Sequence, residues 1–288
     1  MDPDVSLHVE EIGVGPALLF IHEFAGDHRS WNLQVRHFAR RFRCITYAAR
    51  GYPPSSVPED LAAYSQQHAV KDALDVLNAL EVGSVHVVGL SMGGFCALHL
   101  ALQAPDRVGS VVIAGVGYGA AYQEREAFRE ECEIIATAFE EEGADSVAIR
   151  YAVGPARVQF QNKDPVGHAE FAEALAGHSS MGSAMTMRGF QKERPSLFDY
   201  SDQLKDLSVP LLILVGDEDE GAIEPSVALK RMAPSAGLMV FPKSGHTLNL
   251  EEPALFNSTV DAFLSSVMTG TWAHRDPRSQ ATSTTGMR

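Results

Sequence analysis

A serine set among glycines, an acidic loop and a late histidine are the residues through which this sequence could do chemistry. Gly89-Leu90-Ser91-Met92-Gly93 has the form GxSxG and runs on into Gly94. The apolar run VHVVGL precedes the serine and the helix-forming FCALHLAL follows it, so Ser91 falls at a strand-to-helix turn. Such a turn is tight and needs small residues on both sides, which Gly89, Gly93 and Gly94 supply. A glycine-rich turn can also cradle phosphate at a helix N-terminus. Here the GxGxxG and GxxxxGK[ST] patterns that go with that use are missing.

A serine hydroxyl is a weak nucleophile until a base takes its proton, and the base needs a carboxylate to orient it. The segment LLILVGDEDEGAIEP offers the acid: an apolar strand ends at Gly216, and Asp217, Glu218, Asp219 and Glu220 follow. A solvated acidic turn capping the next helix accounts for any of them that do no chemistry. The segment FPKSGHTLNLEEP offers the base. Among the eleven histidines, His246 is the one that lies after the acidic loop and ahead of the last helical pattern.

The elements that must hold these groups follow a βαβ rhythm, which predicts a mostly parallel sheet. Buried-strand runs are ALLFI (17–21), CITYA (44–48), VHVVGL (85–90), SVVIAG (110–115), PLLILVG (210–216) and the shorter GLMVF (237–241). Helical patterns lie at 29–41, 64–81, 92–104, 224–233 and 252–267, and SLHVEEIG alternates like the edge strand of an antiparallel hairpin. Between Tyr118 and Leu207 no strand run appears, and segments such as AYQEREAFREECEIIATAFEEE dominate. A helical cap over residues 118–206, inserted in a core of 1–117 and 207–268, is the expected organisation. The glutamate-rich face of that first cap helix reads as a solvated surface. From Thr269 the chain is aperiodic and rich in Ser and Thr, so 269–288 is expected to be a disordered tail.

Bulk properties narrow the class. The 288 residues are 45% hydrophobic and 21% charged, which suits one large globular unit with a sizeable core. Acidic residues outnumber basic ones by 37 to 23, a formal charge of -14, which argues against nucleic acid or an anionic membrane surface as partner. Cys44, Cys96 and Cys132 are odd in number and widely spaced, the pattern of reduced thiols rather than a disulfide framework or metal cluster. The start MDPDVSLHVE lacks the basic-then-apolar build of a signal peptide, and no apolar run reaches the ~20 residues of a membrane span. A cytoplasmic location is the expectation, with the oligomeric state open and a homodimer among the options.

From about residue 5 to 268 the chain resembles the α/β-hydrolase superfamily of the capped type. The resemblance rests on HEFAG (22–26), GLSMGG (89–94), GDED (216–219) and SGH (244–246), in the chain order nucleophile, acid, histidine. ARGYPPS (49–55) resembles a further family loop, D-x-R-G-x-G-x-S, but Ala48 stands at the Asp and Pro53 at the second Gly. The resemblance implies an α/β fold with the cap following the sixth strand of the family's count. It favours Asp219 over Asp217 as the acid. An alternative family arrangement puts the acid after that sixth strand, near Gly115, but GVGYGA carries no carboxylate. It further implies an oxyanion hole made by the backbone N–H groups of Phe24 and Met92, and no metal or organic cofactor.

Glu23 is the feature that fits least well, because a carboxylate ~6 Å from a developing oxyanion costs on the order of 3 kcal/mol at an effective dielectric of 20. It is expected to point outward and pair with a cation such as Arg29 or Arg50. The implied chemistry is acyl transfer: His246 deprotonates Ser91, Asp219 orients the imidazole, and water releases the acyl group. GLSMGG is closer to the esterase, enol-lactonase and perhydrolase branches than to the GNSMGG of ring-cleavage enzymes, so a small carboxylic ester or lactone is preferred. Cleavage of a C–C bond in a vinylogous diketone and a weakly catalytic small-molecule receptor are the alternatives. In the cap, Met181, Met185, Met187, Phe190, Phe198, His168 and His178 offer themselves as pocket lining, although such an apolar stripe more often packs than recognises.

Overall fold

A computed structural model describes residues 5–280 and residue 285. Its centre is a seven-stranded sheet in the order β1-β3-β2-β4-β5-β6-β7. The strands are β1 Val9–Ile12, β2 Ala17–Ile21, β3 Arg43–Tyr47, β4 Val85–Leu90, β5 Val108–Ala114, β6 Leu211–Gly216 and β7 Ala236–Phe241. All neighbours are parallel except β1 and β3. The expected edge strand is therefore antiparallel, but it pairs with β3 and not with β2, which follows it in the chain.

The inner strands β2, β4, β5 and β6 read as nearly unbroken apolar runs because both faces of the sheet are covered there. Leu19, Ile21, Val87, Val111 and Ile113 face one cluster with helices α2 Gln66–Ala79 and α3 Met92–Gln103. Leu18, Phe20, Val88, Val112 and Leu214 face the other, where Trp31, Phe38 of α1 (Asn32–Phe38), Phe256 and Phe263 pack. The side-chain period of two along each strand divides the run between the two layers.

After β5 the chain leaves the sheet. Helices α4 Arg125–Glu142, α5 Ala144–Tyr151, α6 Val158–Lys163, α7 Pro165–Ala176, α8 Ser180–Met185 and α9 Ser201–Lys205 come before β6. Their buried side chains, among them Cys132, Phe139, Val147, Phe160, Phe171 and Leu175, form a third cluster with Phe24, Ala25, Tyr52 and Met92. Those last residues follow the carboxyl ends of β2, β3 and β4, so the helical insert rests over the end of a parallel sheet where ligands bind. Helices α10 Glu220–Met232, α11 Leu248–Glu251 and α12 Pro253–Met268 complete the fold.

The segment after α12, expected to be disordered, is docked for several residues. Trp272 Nε1 donates to the Ser235 carbonyl at 2.8 Å, and its ring meets Phe263 edge-on with centroids 4.7 Å apart. The Arg275 N–H donates to the Pro234 carbonyl at 2.9 Å. Composition hid this because one aromatic anchor is enough to seat an otherwise polar segment. Residues 281–284 and 286–288 of the expected tail lie outside the described residues. Among the described residues no helix is long and apolar enough to cross a membrane.

Candidate active site

Ser91 caps α3 with φ 52° and ψ -117°, a left-handed backbone that a non-glycine residue adopts at a cost. The surrounding glycines are dictated by contact. A Cβ on Gly89 would lie 2.2 Å from the Gly93 carbonyl oxygen, and one on Gly93 would lie 2.1 Å from that of Ile21. The second approach seats the His22–Gly26 loop directly against the turn that holds Ser91. Met92 is the first residue of α3, so its N–H has no acceptor within the helix.

His246 and Asp219 are in direct contact. His246 Nδ1 donates to Asp219 Oδ2 at 2.8 Å, and the Tyr118 hydroxyl donates to Asp219 Oδ1 at 2.9 Å. With Nδ1 committed as donor, Nε2 of the neutral ring is the face left to accept a proton. Asp219 is fully buried. Burial pushes its carboxyl up, but His246, the Tyr118 hydroxyl and the charge of Arg157 outweigh this and hold it below the ordinary value. Asp217 is placed elsewhere, with Oδ1 accepting from the Ser244 N–H at 3.0 Å, and Glu218 accepts from Gln159 at 2.6 Å. Gly216 allows the two loops to run side by side, since a Cβ there would lie 2.2 Å from the Ser244 carbonyl oxygen.

Ser91 and His246 line the same cavity of about 510 Å³, closed on the far side by the helical insert through Phe128, Ile135, Val147, Tyr151 and Met187. That volume suits a small organic ligand. Of the insert residues singled out in the sequence, only Met187 lies on its wall. His168 Nε2 donates to the Ala152 carbonyl at 2.7 Å, and Met181 is exposed. Phe198 packs on Tyr122, His178 on Tyr52, and Phe190 is buried outside this wall. The lining residues missed in the sequence, Tyr118, Tyr151, Gln191, Arg157 and Arg194, carry no local pattern that sets them apart.

Glu23 is paired with a cation as expected, but it is not outward and its partner is neither Arg29 nor Arg50. It is buried, 2% exposed, and Arg157 of the insert donates to both its oxygens, Nη1 to Oε1 at 3.0 Å and Nη2 to Oε2 at 2.5 Å. Arg157 Nη1 also donates to Thr247 Oγ1 at 2.7 Å, next to His246. The expected partners are taken: Arg29 holds Asp27 at 2.5 Å and Arg50 holds Asp72 at 2.6 Å. Burial pushes the Glu23 carboxyl up, yet the neighbouring groups, Arg157 first among them, together outweigh it, so the carboxyl sits below its ordinary value and is ionised. Its backbone is ordinary: among the described residues the non-glycines with positive φ are Glu81, Ser91 and Lys243.

His22 fixes the same loop. Its Nδ1 is 2.7 Å from the Glu23 carbonyl and its Nε2 accepts from the Ala49 N–H at 3.0 Å. A carbonyl only accepts and an N–H only donates, so the ring is neutral with its proton on Nδ1, in keeping with burial lowering its pKa. The loop after β3 braces in turn, as Ser55 Oγ donates to the Ala48 carbonyl at 2.6 Å. Metal-ligating side chains gather away from this cavity. Among the described residues, His8, Glu10 and His28 bring ligand atoms within 4.8 Å of one another at the β1 edge, and none of them lines the cavity.

Residues 16–253 match the family described as alpha/beta hydrolase fold. The chain belongs to the α/β-hydrolase family. This hydrolase is 26% identical over 253 residues to 3-oxoadipate enol-lactonase 1 of Acinetobacter baylyi, covering 88% of this chain and 90% of that protein. It is 24% identical over 254 residues to a putative 2-succinyl-6-hydroxy-2,4-cyclohexadiene-1-carboxylate synthase of Bacillus subtilis, covering 87% and 91%. Among solved structures, a thermophilic esterase from Thermogutta terrifontis superposes on the hydrolase with a TM-score of 0.81 at 26% identity, covering 93% of this chain and 96% of that one.

Proposed function

We infer that the protein is a serine hydrolase of small carboxylic esters or lactones, with Ser91, His246 and Asp219 as its triad. The observation that carries this reading is the pairing of a strained serine turn with a carboxylate-oriented histidine on one cavity. Residues 1–117 and 207–268 serve as the catalytic core and 118–206 as the cap that closes the cavity. The similarity to an enol-lactonase and an esterase supports acyl chemistry.

In the first step His246 Nε2 takes the Ser91 proton as Oγ attacks the carbonyl carbon. Asp219 holds the ring in the tautomer that leaves Nε2 free and stabilises the imidazolium that forms. The Met92 and Phe24 N–H groups take up the charge on the carbonyl oxygen, which each such donor stabilises by ~3 kcal/mol. The imidazolium then protonates the leaving alkoxide. A water activated by the same histidine releases the acid from Ser91. Arg157 keeps the carboxylate of Glu23 neutralised beside the loop that carries the Phe24 N–H.

The test is covalent labelling with a fluorophosphonate read by intact mass. One adduct on the wild type, none on Ser91→Ala and slow labelling of His246→Ala are expected. Labelling of Ser91→Ala at the wild-type rate, or no hydrolysis of any ester or lactone, would remove the reading.

A further inference from the structure

Three arginines line the cavity that holds Ser91 and His246: Arg150, Arg157 and Arg194. Arg150 is paired with Glu142 at 2.6 Å and Arg157 with Glu23 at 2.5 Å. Arg194 is paired with no carboxylate among the described residues, yet it is 4% exposed. Its guanidinium carbon lies 3.8 Å from the Phe95 ring centroid and 4.8 Å from that of Phe128, and Nη2 donates to the Tyr118 carbonyl at 2.5 Å. Aromatic faces satisfy the flat sides of a guanidinium but not its five N–H donors along the edge. Buried charges in proteins are almost always paired, so a cation left without an anion on a cavity wall marks the place of one that arrives with a ligand.

A second side chain on the same wall points the same way. Gln191, three residues earlier, is 6% exposed and its amide oxygen is buried without a partner. Which amide atom is oxygen and which nitrogen is interchangeable by a half-turn of the side chain. The acid on that wall, Glu131, is solvent-exposed and makes no ion pair with Arg194. The position relative to the chemistry is set by the helix: Phe95 follows Ser91 by one turn, ~6 Å along the axis. Arg194 also grips the backbone of Tyr118, whose hydroxyl holds Asp219.

We propose that Arg194, with Gln191 beside it, binds a free carboxylate carried by the substrate a short chain away from the scissile carbonyl. Resting on the ester or lactone reading, this narrows the substrate to half-esters of dicarboxylic acids or lactones bearing a carboxylate. A bidentate guanidinium contact fixes both the position and the orientation of that end of the molecule. Arg194 is then a binding residue and takes no part in proton transfer.

The test compares two esters of equal chain length, the mono-4-nitrophenyl ester of adipic acid and 4-nitrophenyl hexanoate. The wild type is expected to prefer the acidic ester by ~30-fold in kcat/KM, mostly through KM. In Arg194→Gln that ratio falls to near one, and in Arg194→Lys, which keeps the charge but not the fork, it lies between. No preference in the wild type, or a preference that survives Arg194→Gln, overturns the proposal. Should Arg194→Gln not fold, the ratio in Arg194→Lys decides alone: an undiminished ratio overturns it. Calorimetry of adipate with Ser91→Ala separates the anchor from the catalytic reading, because it needs no turnover. Binding that disappears in Ser91→Ala/Arg194→Gln supports the anchor even if neither ester is hydrolysed, and no binding to Ser91→Ala overturns it.

Discussion

Arg157 of the helical insert donates to both carboxylate oxygens of Glu23 in the loop after β2, and to Thr247 next to His246. One guanidinium therefore ties the insert to the two loops that flank the serine turn. Removing it alone strands a buried carboxylate beside the loop proposed to supply the Phe24 oxyanion donor. Arg157→Met is expected to lose ~3–5 kcal/mol of stability, the usual result of breaking a buried ion pair. It should also lose about a hundredfold in kcat, given ~3 kcal/mol of repulsion across ~6 Å. Glu23→Gln/Arg157→Met should recover most of both losses, in denaturant unfolding and in ester turnover alike. A double variant as damaged as Arg157→Met would show that Arg157 acts on something other than Glu23.

Gly115 sits where β5 ends, with φ 59°, and a Cβ there would come within 3.0 Å of His246 Nδ1 and Cε1 and 3.4 Å of Asp219 Oδ2. Gly115→Ala thus combines backbone strain of ~1–2 kcal/mol with a push on the histidine ring. The expected outcome is a modest drop in thermal midpoint and at least a tenfold slower fluorophosphonate labelling. An unchanged labelling rate would mean that the pair can shift without consequence.

Much of this was legible in the sequence because it is local. The GxSxG turn, the acid after an apolar strand and the late glycine-histidine loop are each set by near neighbours, and the structure brings Asp219 to His246 as expected. The alternation of strand and helix gave the layers for the same reason. What escaped was long-range pairing. Glu23 and Arg157 are separated by 134 positions, and nothing near either residue points to the other, whereas Arg29 is close in the chain but already held by Asp27. The cap residues divide on the same ground: of the seven offered as lining only Met187 reaches the cavity, because an apolar helical stripe shows which face is buried, not whether it meets a core or a cavity.

Ser91 holds a backbone conformation that glycine adopts freely, with φ 52° and ψ -117°. Ser91→Gly is expected to raise stability by ~1 kcal/mol, while Ser91→Ala, which keeps the Cβ and its strain, should not. Both abolish labelling. The pair of variants separates strain from the loss of the hydroxyl, and equal thermal midpoints for the two would show that the turn stores none.

Stability should fall with acid in two stages whose signs follow from opposite kinds of group. Burial holds His99 and His178 neutral, lowering each to about 4 from an ordinary 6.5. The unfolded chain therefore takes up protons first, and this stabilisation, complete above pH 6.5, is lost as pH falls toward 4. Glu23 is held below its ordinary 4.5 and Asp219 below 3.8, so their contribution is complete above those values and disappears only as pH falls through the lower folded ones. Glu251 works against this second stage: burial raises it, and protonation on the way down relieves that penalty. Chemical denaturation between pH 3 and 8 should show the upper stage unchanged in Glu23→Gln/Arg157→Met and the lower stage flattened. If the two profiles superimpose below pH 4.5, Glu23 is not ionised in the folded chain, and the role assigned to Arg157 goes with it.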